Sequence, residues 1–141
     1  MSAAEIRNQI GGSWEERSDG WWLPLPPEQI RAAAGIMLAG SARFVAQVAS
    51  PGSQGEFGLP EFGLSWHWDL KGTLLSITTT LAAVRPAPSI VDIYVGADWA
   101  ERETRDYYAI TFEGRDATPT LMLRAEDAPG MMLSPAEEGR P

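Results

Sequence analysis

The clearest alternation of apolar and polar positions runs from Leu64 to Thr80. Leu64, Trp66, Trp68 and Leu70 alternate with Ser65, His67 and Asp69, Lys71-Gly72 follows, and a β-branched run resumes the pattern. A two-residue loop at Lys71-Gly72 predicts a hairpin in which Trp68 faces Leu75, Trp66 faces Ile77 and Leu64 faces Thr79. On the other side His67 faces Ser76 and Ser65 faces Thr78. One face is then apolar and the other mostly polar, and a slip of one residue would mix the two sets, so the pattern selects the register. Pro86 and Pro88 close the second strand.

Helical spacing appears on either side of the hairpin. Pro26-Pro27-Glu28 suits a first helical turn, and Ile30, Ala33, Ala34, Met37 and Leu38 then recur with a period near 3.6 until Gly40. Gly35 in the interior of that helix costs about 1 kcal/mol relative to alanine. Phe44, Ala46 and Val48 alternate with Val45 and Gln47 as a strand that Pro51-Gly52 is expected to end, and the Gly-rich stretch from Ser50 to Gly63 reads as a loop. Trp14 to Pro27 reads as an extended lead-in. Ile90, Ile93 and Tyr94 suggest a short turn. Asp98-Trp99-Ala100-Glu101 then has the spacing of a capping box with an Asp cap, which predicts a helix from Trp99 to about Ala109. Thr111 to Glu113 is a candidate short strand. Residues 1–13 and 134–141 have little to bury and read as flexible tails around one domain at 14–133. The fold class is α+β: a single domain with a small antiparallel sheet and helices packed on one face.

Composition narrows the chemistry. The 141 residues are 44% hydrophobic with six tryptophans, enough for one folded core. Eleven Lys+Arg against nineteen Asp+Glu give a net charge of −8, which repels nucleic acid. The absence of cysteine excludes disulfides and iron–sulfur or zinc–thiolate ligation by this chain, and the single histidine excludes two-histidine metal sites. No segment approaches the roughly 20 apolar residues of a spanning helix, and no apolar leader begins the chain, so the expected location is cytoplasmic.

Plotted at 100° per residue from Trp99, Ile110, Glu103, Tyr107 and Ala100 share one arc, with Glu103 in its middle. A recessed carboxylate must be paired, hydrogen-bonded or protonated. Arg102 and Asp106 flank the arc, whereas Glu101 and Arg105 fall opposite, as a solvated pair. Glu103 is therefore expected to meet a basic group of another subunit, or to be satisfied within its own fold. On this reading Glu103→Gln or Asp106→Asn is more damaging to assembly than Glu101→Gln. His67 beside Asp69 is either a general base or a surface residue. Trp66 and Trp68, matched to Ile77 and Leu75, read as core rather than as a binding platform. Met122, Met131 and Met132 are either an adaptable docking surface or gap fillers. These residues nominate no catalytic, metal or cofactor set. The alternative is a small stand-alone enzyme or ligand-binding domain using Glu103 and Asp106 in a cleft.

The segment Pro88-Ser89-Ile90 followed by Ala97-Asp98-Trp99-Ala100-Glu101-Arg102-Glu103-Thr104-Arg105-Asp106-Tyr107-Tyr108-Ala109-Ile110-Thr111-Phe112-Glu113-Gly114 resembles the 30 kDa subunit family of respiratory complex I, the NADH-quinone oxidoreductase. That family's signature is similar to A-x-W-x-E-R-E-x-x-D-x-[FY]-G-I-x-F-x-G-H-P after a P-S-I stretch, and the resemblance covers roughly residues 20–125. Two positions depart from it. Ala109 stands where the family has glycine, and Arg115-Asp116-Ala117-Thr118-Pro119-Thr120 replaces its His-Pro-Asp-Leu-Arg-Arg run. The resemblance implies a cofactor-free, non-catalytic subunit of the peripheral arm of a complex I-like oxidoreductase on the cytoplasmic face of the inner membrane. The enzyme would be an energy-converting nickel–iron hydrogenase complex or an NADH:quinone oxidoreductase. The implied partners are the large catalytic subunit (the quinone-site or hydrogenase large subunit) and the neighbouring iron–sulfur subunit, with membrane contact only through the complex. The implied interface residues are Trp99, Glu101, Arg102, Glu103, Asp106, Tyr108, Ile110 and Phe112.

Overall fold

The computed structural model describes residues 1–54, 60–82, 85–115, 119–124 and 126–133. The expected hairpin is its centre. Strands β4 (Pro60–Leu70) and β5 (Thr73–Ala82) pair antiparallel, with Trp68 opposite Leu75, Trp66 opposite Ile77, Leu64 opposite Thr79, His67 opposite Ser76 and Ser65 opposite Thr78. Lys71 and Gly72 both have positive φ, 51° and 89°, as a type I′ loop requires. Asp69 Oδ1 holds the turn by accepting from the Gly72 amide at 3.0 Å.

The lead-in forms two strands, β1 (Glu15–Arg17) and β2 (Gly20–Pro24). With β3 (Arg43–Gln54) they complete a five-stranded sheet in the order β1-β2-β5-β4-β3. The sheet is mixed rather than wholly antiparallel, because β2 runs parallel to β5. Strand β3 also continues through Pro51-Gly52, where a stop was expected. Pro51 sits opposite Phe62, and a proline is tolerated on an edge strand whose amide side faces away from its neighbour. Much of the expected loop from Ser50 to Gly63 is therefore strand, and residues 55–59 lie outside the described residues.

Helix α2 (Ile30–Ala39) follows a single 3₁₀ turn at Pro27–Gln29 and buries Ile30, Ala33, Ala34 and Met37. Residues 1–13 are not a loose tail. Helix α1 (Ala3–Ile10) begins with a capping box in which the Ser2 hydroxyl accepts from the Glu5 amide and the Glu5 carboxylate accepts from the Ser2 amide. Its Ile6 is fully buried, and a Cβ on Gly40 would lie 2.5 Å from Ile6 Cδ1, so a larger residue there would have to push the Ile6 side chain aside. The Arg7 guanidinium stacks 3.7 Å from the centre of the Trp21 ring. The tail expected at 134–141 lies outside the described residues.

Apolar residues of α1, α2 and the third helix, α3 (Ala97–Tyr108), join one core with the apolar row of the sheet, in which Trp66 and Trp68 are fully buried. The fold is α+β. The polar row, with Ser65, His67 and Thr78, lies on the other face.

Candidate functional site

Helix α3 carries the signature residues, and the structure redistributes their roles. It begins two residues earlier than expected, with Gly96 at the cap position and no side-chain cap bond. Asp98 is therefore inside the helix, where it pairs with Arg115 at 2.6 Å and Arg102 at 3.5 Å. The inward stripe is Ala97, Glu101 and Thr104, with Tyr108 continuing it against Phe62 at 5.5 Å between ring centres.

Glu101, expected on the solvated side, is fully buried. Its Oε1 accepts from the Ser89 hydroxyl at 2.7 Å and from Arg115 at 3.0 Å, and its Oε2 accepts from the Ile90 amide at 2.9 Å. Every partner lies outside the helix, so this carboxylate ties the Pro88-Ser89-Ile90 stretch and the segment after Phe112 to α3. Burial lowers the Arg115 pKa, but the carboxylates of Glu101 and Asp98 outweigh it and hold the guanidinium charged. Ala87 and Phe112 form a parallel bridge beside this cluster, and Ile110 and Phe112 are buried.

Asp106 is also fully buried, on the opposite side of the helix, under the segment 119–133. Its Oδ2 accepts from the amides of Leu121, Met122 and Leu123 at 2.9, 2.7 and 3.2 Å, and its Oδ1 accepts from Arg105 at 3.3 Å. Burial pushes this carboxyl up, the three amides and Arg105 push it down, and the net shift is below the ordinary value. The backbone carbonyl of Asp106 accepts from the amides of Gly130 and Met131, and Arg102 donates twice to the Thr120 carbonyl. The helix thus holds a strap along its outer side by polar bonds.

Glu103 is exposed, not recessed, and Trp99 is 68% exposed. The expected arc ran from Trp99, with Glu103 in its middle, because tryptophan counts as apolar. The actual buried stripe is centred on a carboxylate whose donors come from loops that periodicity cannot place. Exposed Glu103 and enclosed Asp106 therefore share no cleft. Arg115 and Ser89, which complete the buried cluster, were not among the expected site residues. Their only sequence signal is nearness to the signature, one before it and one after.

His67 contacts Ser65 Oγ through Nε2 at 2.9 Å and Ser76 Oγ through Nδ1 at 2.7 Å, while Asp69 serves the turn. Burial pushes its pKa below 6.5, against a raising contribution from Asp19. The Ser76–His67 pair has the spacing of a nucleophile and its base, but Ser76 is fully buried and closed to a substrate. Among the described residues no group of three His, Asp or Glu side chains is placed to hold a metal ion. Among them no helix is long and apolar enough to cross a membrane.

Comparison with known proteins agrees with the signature. Residues 24–136 match the family model described as respiratory-chain NADH dehydrogenase, 30 Kd subunit. The chain belongs to that family. It is 38% identical over 65 residues to NAD(P)H-quinone oxidoreductase subunit J of Synechococcus sp. (strain CC9902), covering 46% of this chain and 33% of that protein. It is 48% identical over 46 residues to the protein of the same description from Prochlorococcus marinus (strain MIT 9303), covering 33% of this chain and 24% of that one. The matched segments thus span a third or less of these relatives. A chain in the solved structure of the membrane-bound sulfane sulfur reductase, an archaeal respiratory membrane complex, shares the fold with a TM-score of 0.66 at 20% identity. That likeness covers 98% of this chain and 82% of that one.

Proposed function

We propose that this chain is a cofactor-free, non-catalytic subunit of the peripheral arm of a complex I-like membrane-bound oxidoreductase. It docks on the large catalytic subunit, beside an iron–sulfur subunit, at the cytoplasmic face of the inner membrane. The enzyme is an energy-converting nickel–iron hydrogenase or an NADH:quinone oxidoreductase.

The observation that carries this reading is the outward side of α3. Its inner carboxylate is engaged within the fold, yet Trp99 is 68% exposed, the preceding Val95 is 84% exposed, and Met122 on the strap is 50% exposed. Large exposed apolar side chains on and near α3, with an exposed acid at Glu103 one turn from Trp99, suit a partner that offers an apolar pocket and a cation. Glu101, Asp106, Ile110 and Phe112 then support the interface from inside, and Trp99 and Glu103 meet the partner.

The test is affinity purification of a tagged copy from gently solubilised native membranes, with mass spectrometry and nickel and iron analysis of the eluate. A large catalytic subunit is expected to co-purify and to be lost from a Trp99→Glu variant that still folds. Nickel in the eluate selects the hydrogenase, and iron with flavin and no nickel selects the NADH enzyme. A clean monomer with no companion overturns the reading.

A further inference from the structure

The polar face of the sheet partly encloses one ionisable ring, His67. On the ladder it stands between Ala46 of β3 and Ser76 of β5, and Ser76 is in turn the register partner of Trp22 on β2. The Trp22 ring meets the imidazole edge-on, at 75° and with 5.5 Å between centres. Trp22 is itself held from within its own hairpin. Its Nε1 donates to Asp19 Oδ1 at 2.9 Å, and the Arg17 guanidinium lies 4.6 Å from its ring centre. Arg17 ends β1, and Asp19 lies in the turn that leads into β2. The β1–β2 hairpin is thus a cap that lays an indole against His67. Among the described residues β5 is its only ladder neighbour, so the cap can part from the sheet along one seam.

Both ring nitrogens are engaged: Nδ1 lies 2.7 Å from Ser76 Oγ and Nε2 lies 2.9 Å from Ser65 Oγ. A neutral imidazole donates through one nitrogen and accepts through the other, so one serine hydroxyl donates into the ring. An imidazolium donates through both. Protonation therefore deprives that hydroxyl of its acceptor and places a charge where Trp22 and the sheet restrict water. The surrounding charges offer little relief. Asp19 favours the cation but is bonded to the indole, and Arg17 on the same indole opposes it while pairing with Glu15 at 3.2 Å. Asp69, two residues along β4, holds the turn and faces Arg43 at 3.6 Å, and β5 carries no charged side chain. Lifting the cap hydrates the ring and relieves both penalties, so the open form takes up a proton more readily than the closed one.

We propose that His67 is a pH-sensitive latch for the β1–β2 hairpin: the neutral ring, bonded to Ser65 and Ser76, keeps Trp22 closed on the sheet, and protonation releases the hairpin from β5. Strands β3, β4 and β5 stay paired, because the latch lies on the β2–β5 seam. The released hairpin bares the backbone edge of β5, so acid opens a sheet edge that is sealed near neutral pH. This device is separate from the α3 surface and does not depend on the subunit reading.

The test uses the full chain and follows two probes from about pH 7 to about pH 5, the range in which a histidine can titrate. One is the His67 ring resonance. The other is hydrogen exchange, corrected for intrinsic rates, at the Leu25 amide, which donates to the Thr78 carbonyl across the seam at 2.9 Å. Leu25 should lose protection several-fold as His67 titrates, while the amides of Trp66 and Ile77, central in the β4–β5 ladder, keep theirs. In His67→Gln the Leu25 protection should not vary with pH, and in Trp22→Ala the His67 midpoint should move up towards 6.5. Leu25 protection that stays constant through the His67 titration overturns the latch, and this wild-type result decides even if a variant does not fold. Equal loss at Leu25, Trp66 and Ile77 overturns it in favour of an effect on the whole fold. A His67 midpoint unmoved by Trp22→Ala overturns the indole as the cap.

Discussion

Replacing Asp106 by asparagine changes one atom group and removes one charge, so its cost isolates what the carboxylate does. In the native chain Oδ2 gathers the amides of Leu121, Met122 and Leu123. Hydrogen bonds to an ionised acceptor contribute about 1 kcal/mol more than neutral ones, which makes about 3 kcal/mol over three amides. The carboxylate's own burial opposes the charged form and offsets part of this, leaving about 1–3 kcal/mol. The loss should be local, because the strap from residue 119 to 133 is held to α3 largely through Asp106, its carbonyl and Arg102. Amide exchange at Leu121, Met122 and Leu123 should therefore speed up by roughly 10- to 100-fold, while exchange in β4 and β5 hardly moves. The pH dependence has a definite sign. The folded pKa lies below the unfolded one, so the stabilisation is complete above about pH 4 and is lost as pH falls through the folded value. Wild-type protein should release these amides only in that acid range, and the Asn variant should show no such step. Unchanged exchange at all three amides, or equal acceleration in the strap and the central strands, would refute the account of Asp106 as the strap's local anchor.

The helix geometry reverses the order of damage expected from periodicity. Glu101→Gln should lower the urea midpoint by an amount equivalent to about 2–4 kcal/mol, since it leaves Arg115 without its closest buried partner, while Glu103→Gln should leave the midpoint unchanged. Equal effects would sink the assignment of the buried stripe. Ala109 caps α3 in the left-handed region at φ 59°, where its Cβ costs about 1 kcal/mol, so Ala109→Gly should raise the thermal midpoint by several degrees. His67 is the only histidine, so its proton resonances can be followed without ambiguity. They should titrate below 6.5, because burial disfavours the imidazolium, and folding stability should decline as pH drops from about 6.5 towards the folded value. A midpoint at or above 6.5 would contradict the burial argument.

What could be read from the sequence, and what could not, divides along one physical line. The hairpin was legible to the residue because alternation, loop length and turn chemistry are all local and all agreed at Lys71-Gly72. Helix α2 was legible for the same reason. Helix α1 was missed although its capping box, Ser2 to Glu5, is equally local, because a polar helix with one buried residue, Ile6, has no apolar stripe to detect. The extent of β3 was missed because Pro51 reads as a terminator unless its place on a sheet edge is known. In α3 the helix itself was legible and its facing was not. A helical wheel assumes that one side is wet, but α3 is covered on two sides, by the sheet and by the strap. Its buried positions are accordingly two carboxylates on opposite faces, Glu101 and Asp106, and its largest aromatic faces outwards. The charges of the signature therefore divide by position rather than by type. Glu101 and Asp106 organise the backbone on either side of the helix, Arg102 reinforces the strap through the Thr120 carbonyl, and Glu103 alone of the three signature carboxylates remains directed at solvent, next to Trp99. An interface built on this helix would depend on the first two for its shape and on the last pair for contact. Loss of Glu101 or Asp106 should then impair assembly through the fold, and loss of Trp99 should impair it without changing stability.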